Sequence, residues 1–471
     1  MNQQAYSPVL SFRALLILLL LSLGVSLISG EYLAMGIVPM ILILIAGLQW
    51  PDKLFYLLLV TIPLSAEVKL SQNFGTDFPD ELLMWLITAT LPLWLLLRPA
   101  ITRSQLMHPL MIMLSAGMFW TLVTIFFTEH VFLSVKYFLA KTWYIIPFCF
   151  GSMAFLKNSK SLRIAAKCIL IPMLFVSILV ITRHAITGFS FEKVSEITKP
   201  FFRNHVNYAA LLVCMIPVCF AVYRSSGTYR VIWLFATLLF VAALFFSFSR
   251  GAWLALGAAL ITIPFIIKRK MQWLILVMLA IIIGGTTWLT VQNRYLDYRP
   301  DYEKTIYHSD FDAHIKATYK MRDLSTAERF YRWIAALRMS RARLVTGYGP
   351  NSFYYEYKPY TVNAFTTYVS DNPEHSTVHN YFLLMLAEQG LPGLILFVLL
   401  YISMMMYAQR IYHTTSDRNE QGLMLVISAL LSIISVLIFL SDLIETDKIG
   451  SIFFICLGLL AGSRERIKSG V

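Results

Sequence analysis

Charged residues are scarce in this sequence: they form 14% of its 471 residues, whereas hydrophobic residues form 58%. In an ordinary soluble domain, about a quarter of the residues are charged. The mean hydropathy is +0.67, and the apolar residues occur in runs of about 20, the length of a helix that crosses the hydrocarbon core of a membrane. The shortage of charge therefore excludes a soluble globular protein.

The sequence also has few cysteines and lacks the common catalytic motifs. The five cysteines lie inside apolar runs without the spacing of a metal site, so we interpret them as small apolar residues and not as a disulfide framework. They are Cys149, Cys168, Cys214, Cys219 and Cys456. The sequence contains no P-loop, nucleophile elbow or paired-carboxylate motif. We therefore expect neither a metal site nor a bound cofactor.

Hydropathy predicts an all-α polytopic membrane protein with about 12–14 transmembrane helices and one large, mainly helical periplasmic loop. The first apolar run, residues 13–30, lacks a small-residue cleavage site and is predicted to be an uncleaved helix, not a signal peptide. The predicted spans are residues 13–30, 32–49, 54–66, 80–97, 108–127, 137–156, 163–182, 206–222, 230–247, 250–267, 271–291, 391–411, 421–441 and 449–463.

Lysine and arginine recur at every second connection, the distribution that the positive-inside rule predicts for the cytoplasmic face. These connections and the C-terminal tail contain Lys53, Arg98, Arg103, Lys157, Lys160, Arg163, Arg224, Arg230, Lys268, Arg269, Lys270, Arg410, Arg418, Arg464, Arg466 and Lys468. Both termini are then cytoplasmic, and the net charge of +13 is partly an orientation signal, not a sign of nucleic-acid binding. Connections 65–80, 183–205 and 291–391 are predicted to lie outside.

The long outer loop is the predicted site of the chemistry. The chain accordingly divides into an N-terminal transmembrane bundle (1–290), a periplasmic catalytic loop (291–390) and C-terminal transmembrane helices (391–471). Within the loop, Ser325–Glu328 has the form of a capping box opening a helix that runs to about Arg343. Arg329, Arg332 and Arg343 cluster beside its apolar stripe. Guanidinium groups bind phosphate in bidentate geometry, which favours a diphosphate clamp; a solvated basic face explains the same pattern.

Two further features of the loop have both a functional and a structural interpretation. Residues 347–353 supply two glycines, a proline and an asparagine, which are typical of a tight turn. The tyrosines that follow are able to stack on sugar rings or to anchor the loop at the membrane interface. They are Tyr354, Tyr355, Tyr357 and Tyr360.

Histidines and arginines near predicted outer helix ends are the remaining candidates. Ser376 or Thr377 is predicted to cap a helix that runs to Glu388, which places His379 in its first turn. The helix dipole then keeps the imidazole partly neutral, as a general base requires; a structural histidine is the other interpretation. His375 precedes it. Arg250, Arg203 and His205 lie at other outer helix ends, where an arginine also snorkels without any function.

Four segments together resemble the O-antigen ligase family, which also includes related polysaccharide polymerases. They are Ser249–Gly251 leading into a span, Glu328–Leu337, Gly347–Phe353, and Val378–Tyr381 running on to Glu388–Gly393. Their order and spacing match the family over roughly residues 200–411, and the last segment is the most specific.

The resemblance implies a glycosyltransferase of the bacterial inner membrane with a periplasmic active site. Its donor is a glycan on undecaprenyl diphosphate, its acceptor is a sugar hydroxyl of lipid A–core, and the transfer inverts the anomeric centre without a metal. On this resemblance, Arg250, Arg329 and His379 match the catalytic positions. The candidate substrate-binding residues are Arg332, Arg343, Arg203, His205, His375 and Asn380.

Two other functions stay open. A Wzy-type polymerase of the same superfamily uses the same donor, with a growing lipid-linked glycan as acceptor. A transporter of lipid-linked sugars would place polar residues near the bilayer midplane on broken helices, and the predicted spans are poor in such residues.

Overall fold

A computed structural model gives the architecture of the chain. It describes residues 32–71, 74–227, 229–299, 324–367, 370–372 and 375–469, together with isolated positions between 14 and 21. Nearly all regular structure in these residues is helical, which confirms the prediction of an all-α polytopic membrane protein. The predicted span 13–30 and loop residues 300–323 lie largely or wholly outside the described residues.

From residue 32 onward, the described residues of the N-terminal half form eight α-helices and one β-hairpin. The elements are α1 Tyr32–Gln49, α2 Pro51–Thr61, β1 Ala66–Ser71, β2 Phe74–Phe78, α3 Asp80–Leu97, α4 Arg103–Leu106, α5 Pro109–Ile125, α6 Val131–Tyr144, a π-helical turn Ile145–Phe150, α7 Gly151–Phe155 and α8 Ser159–Ile186. The two strands pair antiparallel with Ala66 opposite Phe78. This hairpin is the only sheet in the described part of the chain.

The second half continues the bundle and carries the outer loop. Its elements are α9 His205–Ser225, α10 Arg230–Phe246, α11 Arg250–Ile267, α12 Met271–Thr290, a 3-10 segment Val291–Tyr298, α13 Leu324–Ala342, α14 Phe353–Glu356, α15 Tyr381–Thr414, α16 Arg418–Leu440, α17 Asp447–Ala461 and α18 Ser463–Ser469. Two short 3-10 turns, Lys358–Tyr360 and Asn363–Phe365, lie between α14 and α15, and a third, Leu443–Glu445, joins α16 to α17.

Eight helical stretches of the described chain are long and apolar enough to cross a membrane, or nine if the α1–α2 pair, bent by 103°, forms one span. The prediction of about 12–14 also counted shorter apolar helices. Two of these, α5 and α10, have 17 residues each, and α17 has 15. The predicted bounds agree closely with the structure, since residues 80–97 and 250–267 coincide with α3 and α11.

Four of the connections predicted to be cytoplasmic lie close together in pairs. Lys157 Nζ donates to Ala100 O at 2.7 Å, which joins two of them. His413 Nε2 bonds Ile266 O at 2.9 Å, which joins two more. The long loop contacts the start of α6, where the Ser134 hydroxyl donates to Pro350 O at 2.7 Å.

The core is formed mainly by the C-terminal helices and α9. In α9 and α16, 61% of the most apolar window is buried, whereas in the stretch that contains α12 none is buried. Helix α12 is therefore peripheral, with an apolar surface suited to lipid. The candidate site lies beside the start of α15 and the end of α16, at the end of the bundle that the sequence predicts to be external.

Candidate functional site

Helix α13 presents the basic cluster, but its acidic residue does not cap it. Glu328 is buried, and its carboxylate accepts hydrogen bonds from Ser370 Oγ at 2.7 Å, from Arg332 Nη2 at 3.3 Å and from the Thr367 hydroxyl. The predicted capping role of Glu328 is therefore wrong, because a glutamate that cannot reach water binds these buried partners instead. Helix α13 begins at Leu324, close to the predicted start.

Two of the three clustered arginines, Arg332 and Arg343, have different surroundings. Arg332 is 5% exposed, and besides Glu328 it donates from Nη1 to Thr377 O at 3.2 Å. Its Nε–H is buried without a hydrogen-bond partner among the described residues. Arg343 lies at the surface, donates to Glu129 Oε1 at 3.3 Å and covers the Tyr348 ring at 4.6 Å. Arg332 therefore faces the interior of the loop, and Arg343 does not.

His379 lies beside Arg329 and Arg332, close enough for both charges to act on it. Burial, together with these two cations, lowers the pKa of His379 from 6.5 to about 3. Its backbone has φ of +56°, a left-handed conformation that is uncommon for a residue other than glycine. The imidazole is therefore neutral at physiological pH and held in a strained position.

The predicted reason for this neutrality is wrong. Helix α15 begins at Tyr381, and Asn380 caps it by accepting from Leu383 N at 3.0 Å. His379 therefore precedes the helix and does not lie in its first turn, and neither Ser376 nor Thr377 is the cap. Asn380 is a stronger capping residue at the position next to the helix. Burial and arginine charge replace the helix dipole as the cause.

The residues on both sides of His379 contact a segment that sequence analysis did not identify. Thr377 Oγ1 donates to Asp442 Oδ2 at 2.6 Å, and Asn380 Nδ2 donates to Phe439 O at 3.1 Å. Tyr381 OH accepts from Lys141 Nζ at 3.2 Å. A lysine inside a predicted span is the signal that would have pointed to this region, because intramembrane charges are usually functional.

Lys141 belongs to a half-buried polar group on α6. Its ammonium lies 2.7 Å from Glu445 Oε1, which also accepts from Tyr137 OH at 2.9 Å. Tyr137, Lys141 and Tyr381 form the polar end of an apolar cavity between α5, α6, α15 and α17. The prediction that the spans are poor in polar residues therefore does not hold for α6, which carries Tyr137 and Lys141.

Arg250 begins α11 at the same end of the bundle. A Cβ on the adjacent Gly251 would lie 3.1 Å from Leu440, next to Phe439. On its other side, Phe248 packs edge-on against Phe191 at 5.6 Å, and Phe191 contacts the ring of His205. Contacts thus connect the Arg250 turn to both the His379 segment and the connection that carries Arg203 and His205. Arg203 is exposed, and His205 Nδ1 bonds Ser195 Oγ at 2.7 Å.

Two of the resembling segments bind each other. The Glu388 carboxylate accepts from Asn351 N at 2.8 Å and from Phe353 N at 3.0 Å, while Gly349 N donates to Glu388 O at 2.8 Å. Gly390 has φ of +68°, and a Cβ there would lie 2.1 Å from Val345 O. The glycines are required by this close approach of backbones. We call residues 347–353 with 388–390 the glycine clamp.

The aromatic residues of the loop stack largely on one another. His375 lies over Tyr354 with ring centroids 4.0 Å apart, whereas Tyr357 is fully buried. Tyr348 and Tyr360 share a hydrogen bond through their hydroxyls, and Tyr355 is 49% exposed. Of the predicted tyrosine group, Tyr355 therefore offers the most free surface. Among the described residues, no cluster of His, Cys, Asp or Glu could hold a metal ion.

Residues 235–398 match the family model described as O-antigen ligase. The chain carries an O-antigen ligase family domain. This confirms the resemblance predicted from the four segments, all of which lie inside the matched residues. No protein of curated function matches the chain significantly. The matched domain contains Arg250, Arg329 and His379, but Lys141, Asp442 and Glu445 lie outside it.

Proposed function

We propose that this O-antigen ligase family protein transfers a glycan from undecaprenyl diphosphate to a sugar hydroxyl of lipid A–core, at the periplasmic face of the inner membrane. One observation carries the proposal: a neutral, strained histidine lies beside two arginines, on the loop that the sequence predicts to be external. A general base and an anion-binding group in proximity are what glycosyl transfer from a diphosphate requires.

The arginines bind the donor in this proposal. Arg329 and Arg332 neutralise the diphosphate and stabilise the charge that develops as the lipid diphosphate leaves, because a guanidinium matches phosphate oxygens in bidentate geometry. Arg250, at the start of α11, completes the anion site from the membrane side. The donor is already activated, so no nucleotide is needed.

His379 acts on the acceptor. Its neutral imidazole takes the proton of the acceptor hydroxyl as that oxygen attacks the anomeric carbon, and the bond to the diphosphate oxygen breaks. A single displacement inverts the anomeric centre. With a pKa of about 3, His379 is a weak base in the empty site. Bound diphosphate counters the arginine charges and raises the pKa of His379, so its basicity rises when the donor is present.

The remaining candidates have supporting roles. Arg343 and His375 lie near the exposed side of the loop, and Arg203 and His205 lie on the neighbouring connection, where each is able to contact the glycan or the lipid phosphates. Asn380 caps α15, so its contribution is to hold His379. We propose that both termini are cytoplasmic, because lysine and arginine recur at every second connection, as the positive-inside rule predicts for the cytoplasmic face.

The direct test uses purified protein in nanodiscs with an undecaprenyl-diphosphate-linked glycan and lipid A–core. We expect glycosylated lipid A–core and released lipid diphosphate from the wild type, and neither from His379→Ala. Movement of the donor across a sealed bilayer without transfer would instead favour the transporter.

Gene deletion separates ligase from polymerase. Loss of the ligase leaves bare lipid A–core together with accumulated undecaprenyl-linked polymer. Loss of a polymerase leaves core that carries a single repeat, and no long polymer on any lipid. Gel analysis of lipopolysaccharide, with separate probing of the lipid-linked fraction, distinguishes the two patterns, and the second would contradict the proposed acceptor.

A further inference from the structure

His379 needs external support for its conformation. A left-handed φ of +56° is disfavoured for a residue with a Cβ, and such a conformation persists only where its surroundings over-determine it. The residue lies before α15, so helical hydrogen bonds do not fix it. The support must come from the residues immediately before and after it.

The support on the N-terminal side consists of two hydrogen bonds to Thr377. Its hydroxyl donates to Asp442 Oδ2 at 2.6 Å, and its carbonyl accepts from Arg332 Nη1 at 3.2 Å. Thr377 is thus held between α13 and the turn that joins α16 to α17. A charged partner makes such a hydrogen bond stronger than a neutral one.

The support on the C-terminal side involves Asn380 and Tyr381. Asn380 Nδ2 donates to Phe439 O at 3.1 Å, at the end of α16. The Tyr381 hydroxyl accepts from Lys141 Nζ at 3.2 Å, and Lys141 is paired with Glu445 at 2.7 Å. Both partners of this ion pair are mostly buried, so the geometry is not loosened by water.

Both supports end on one short segment. Asp442 and Glu445 border the 3-10 turn Leu443–Glu445, and Glu445 N donates to Asp442 O at 2.9 Å. We propose that Asp442, Glu445 and Lys141 are positioning residues that hold His379 in its reactive orientation through Thr377 and Tyr381. The inference rests on the proposed function, because it takes His379 as the base.

A conservative pair of variants at Thr377 tests the N-terminal support. Thr377→Val removes the hydroxyl at nearly constant volume, and we expect kcat to fall about ten- to a hundred-fold with donor KM little changed, since small misplacement of a catalytic group has effects of this size. Thr377→Ser should restore most of kcat. Thr361→Val is the matched control, because the Thr361 hydroxyl bonds Lys358 O in its own turn and no other described residue, and it should leave kcat unchanged.

The C-terminal support is tested by Lys141→Met, Glu445→Gln and the double variant. If both residues act as one unit through Tyr381, the double variant should lower kcat no further than the more affected single variant. Additive losses, or a rise in donor KM without loss of kcat, would contradict a positioning role.

Chemical labelling of His379 gives a readout that does not need transfer activity. Diethyl pyrocarbonate modifies neutral imidazoles, and mass spectrometry separates His379 from His375 and His205 as internal references. We expect Thr377→Val and Lys141→Met to change the His379 rate several-fold relative to those references, with Thr361→Val unchanged. An unchanged rate in both variants would overturn the inference even if the wild type transfers glycan. A changed rate in a protein that transfers no glycan would instead refute the proposed function alone.

Discussion

The His379 site and the glycine clamp both carry segments that resemble the same family, yet their polar groups are satisfied to different degrees. In the clamp, both Glu388 carboxylate oxygens and the Glu388 carbonyl accept backbone amides. In the site, the Arg332 Nε–H is buried without a partner in the described structure, and His379 has left-handed backbone and a strongly lowered pKa.

This difference indicates that the clamp motif has a structural role, whereas the motif around His379 is suited to binding a substrate. Buried polar groups in native proteins are normally hydrogen-bonded, so an exception needs an explanation. In the glycine clamp, the oxygens of Glu388 accept backbone amides of the clamp itself. Packing and hydrogen bonding therefore account for its sequence. In the described residues of the His379 site, the buried Arg332 Nε–H has no partner, and an anionic substrate would supply the missing acceptor.

His379→Ala should have the largest effect. We expect transfer to fall by about 10²- to 10⁴-fold, the usual contribution of a general base. Folded protein should still be obtained, because one left-handed residue costs only about 1–3 kcal/mol and alanine carries the same Cβ as histidine at this position. Transfer to lipid A–core and size-exclusion profiles check the two parts. Retention of most activity would remove His379 from the mechanism.

Gly390→Ala should break the clamp instead. A Cβ at Gly390 would lie 2.1 Å from Val345 O with φ at +68°, so the backbones must separate and the folded yield should fall severely. Gly257→Ala in α11 is the matched control, since a Cβ there meets nothing within 4 Å. Thermal unfolding in detergent measures both, and normal stability of Gly390→Ala would refute the clamp.

Arg329→Lys tests the anion site without removing its charge. We expect a loss of roughly ten- to a hundred-fold in kcat/KM, because lysine lacks the planar fork that binds two phosphate oxygens. Arg343→Lys should change transfer less than about two-fold, since Arg343 is an exposed residue paired with Glu129. Equal losses in the two variants would mean that the clustered arginines act only as a diffuse positive field.

Acid pH should give the smallest effect, on stability. The pKa of His379 is lowered from 6.5 to about 3 on folding, so at intermediate pH the unfolded chain binds a proton that the folded protein does not. The contribution of neutral His379 to the free energy of unfolding is therefore fully present above about pH 6.5, and it is lost as pH falls toward 3. The wild-type melting temperature should therefore fall more steeply over this window than that of His379→Asn. Parallel slopes would contradict the lowered pKa.

Hydropathy predicts the helices well because each span is encoded locally by its apolar run. Local patterns also bring Arg329 and Arg332 to one helix. They fail at the start of α15, where they predict Ser376 or Thr377 as the cap although Asn380 caps the helix. The reason is that Thr377 bonds Asp442, a partner distant along the chain. Lys141, Asp442 and Glu445 escape sequence analysis since their partners are distant along the chain, as when Lys141 bonds Tyr381.

The hydrogen bond between Thr377 and Asp442 crosses the boundary of the matched domain, which ends at residue 398. Residues 399–471 are therefore not a replaceable membrane anchor. Consider a hybrid protein in which residues 399–471 come from a relative. If the relative has no carboxylate opposite Thr377, the loop keeps its sequence but loses the hydrogen bond that supports His379. A hybrid should accordingly keep transfer activity only when the loop and helices α16 and α17 come from the same relative.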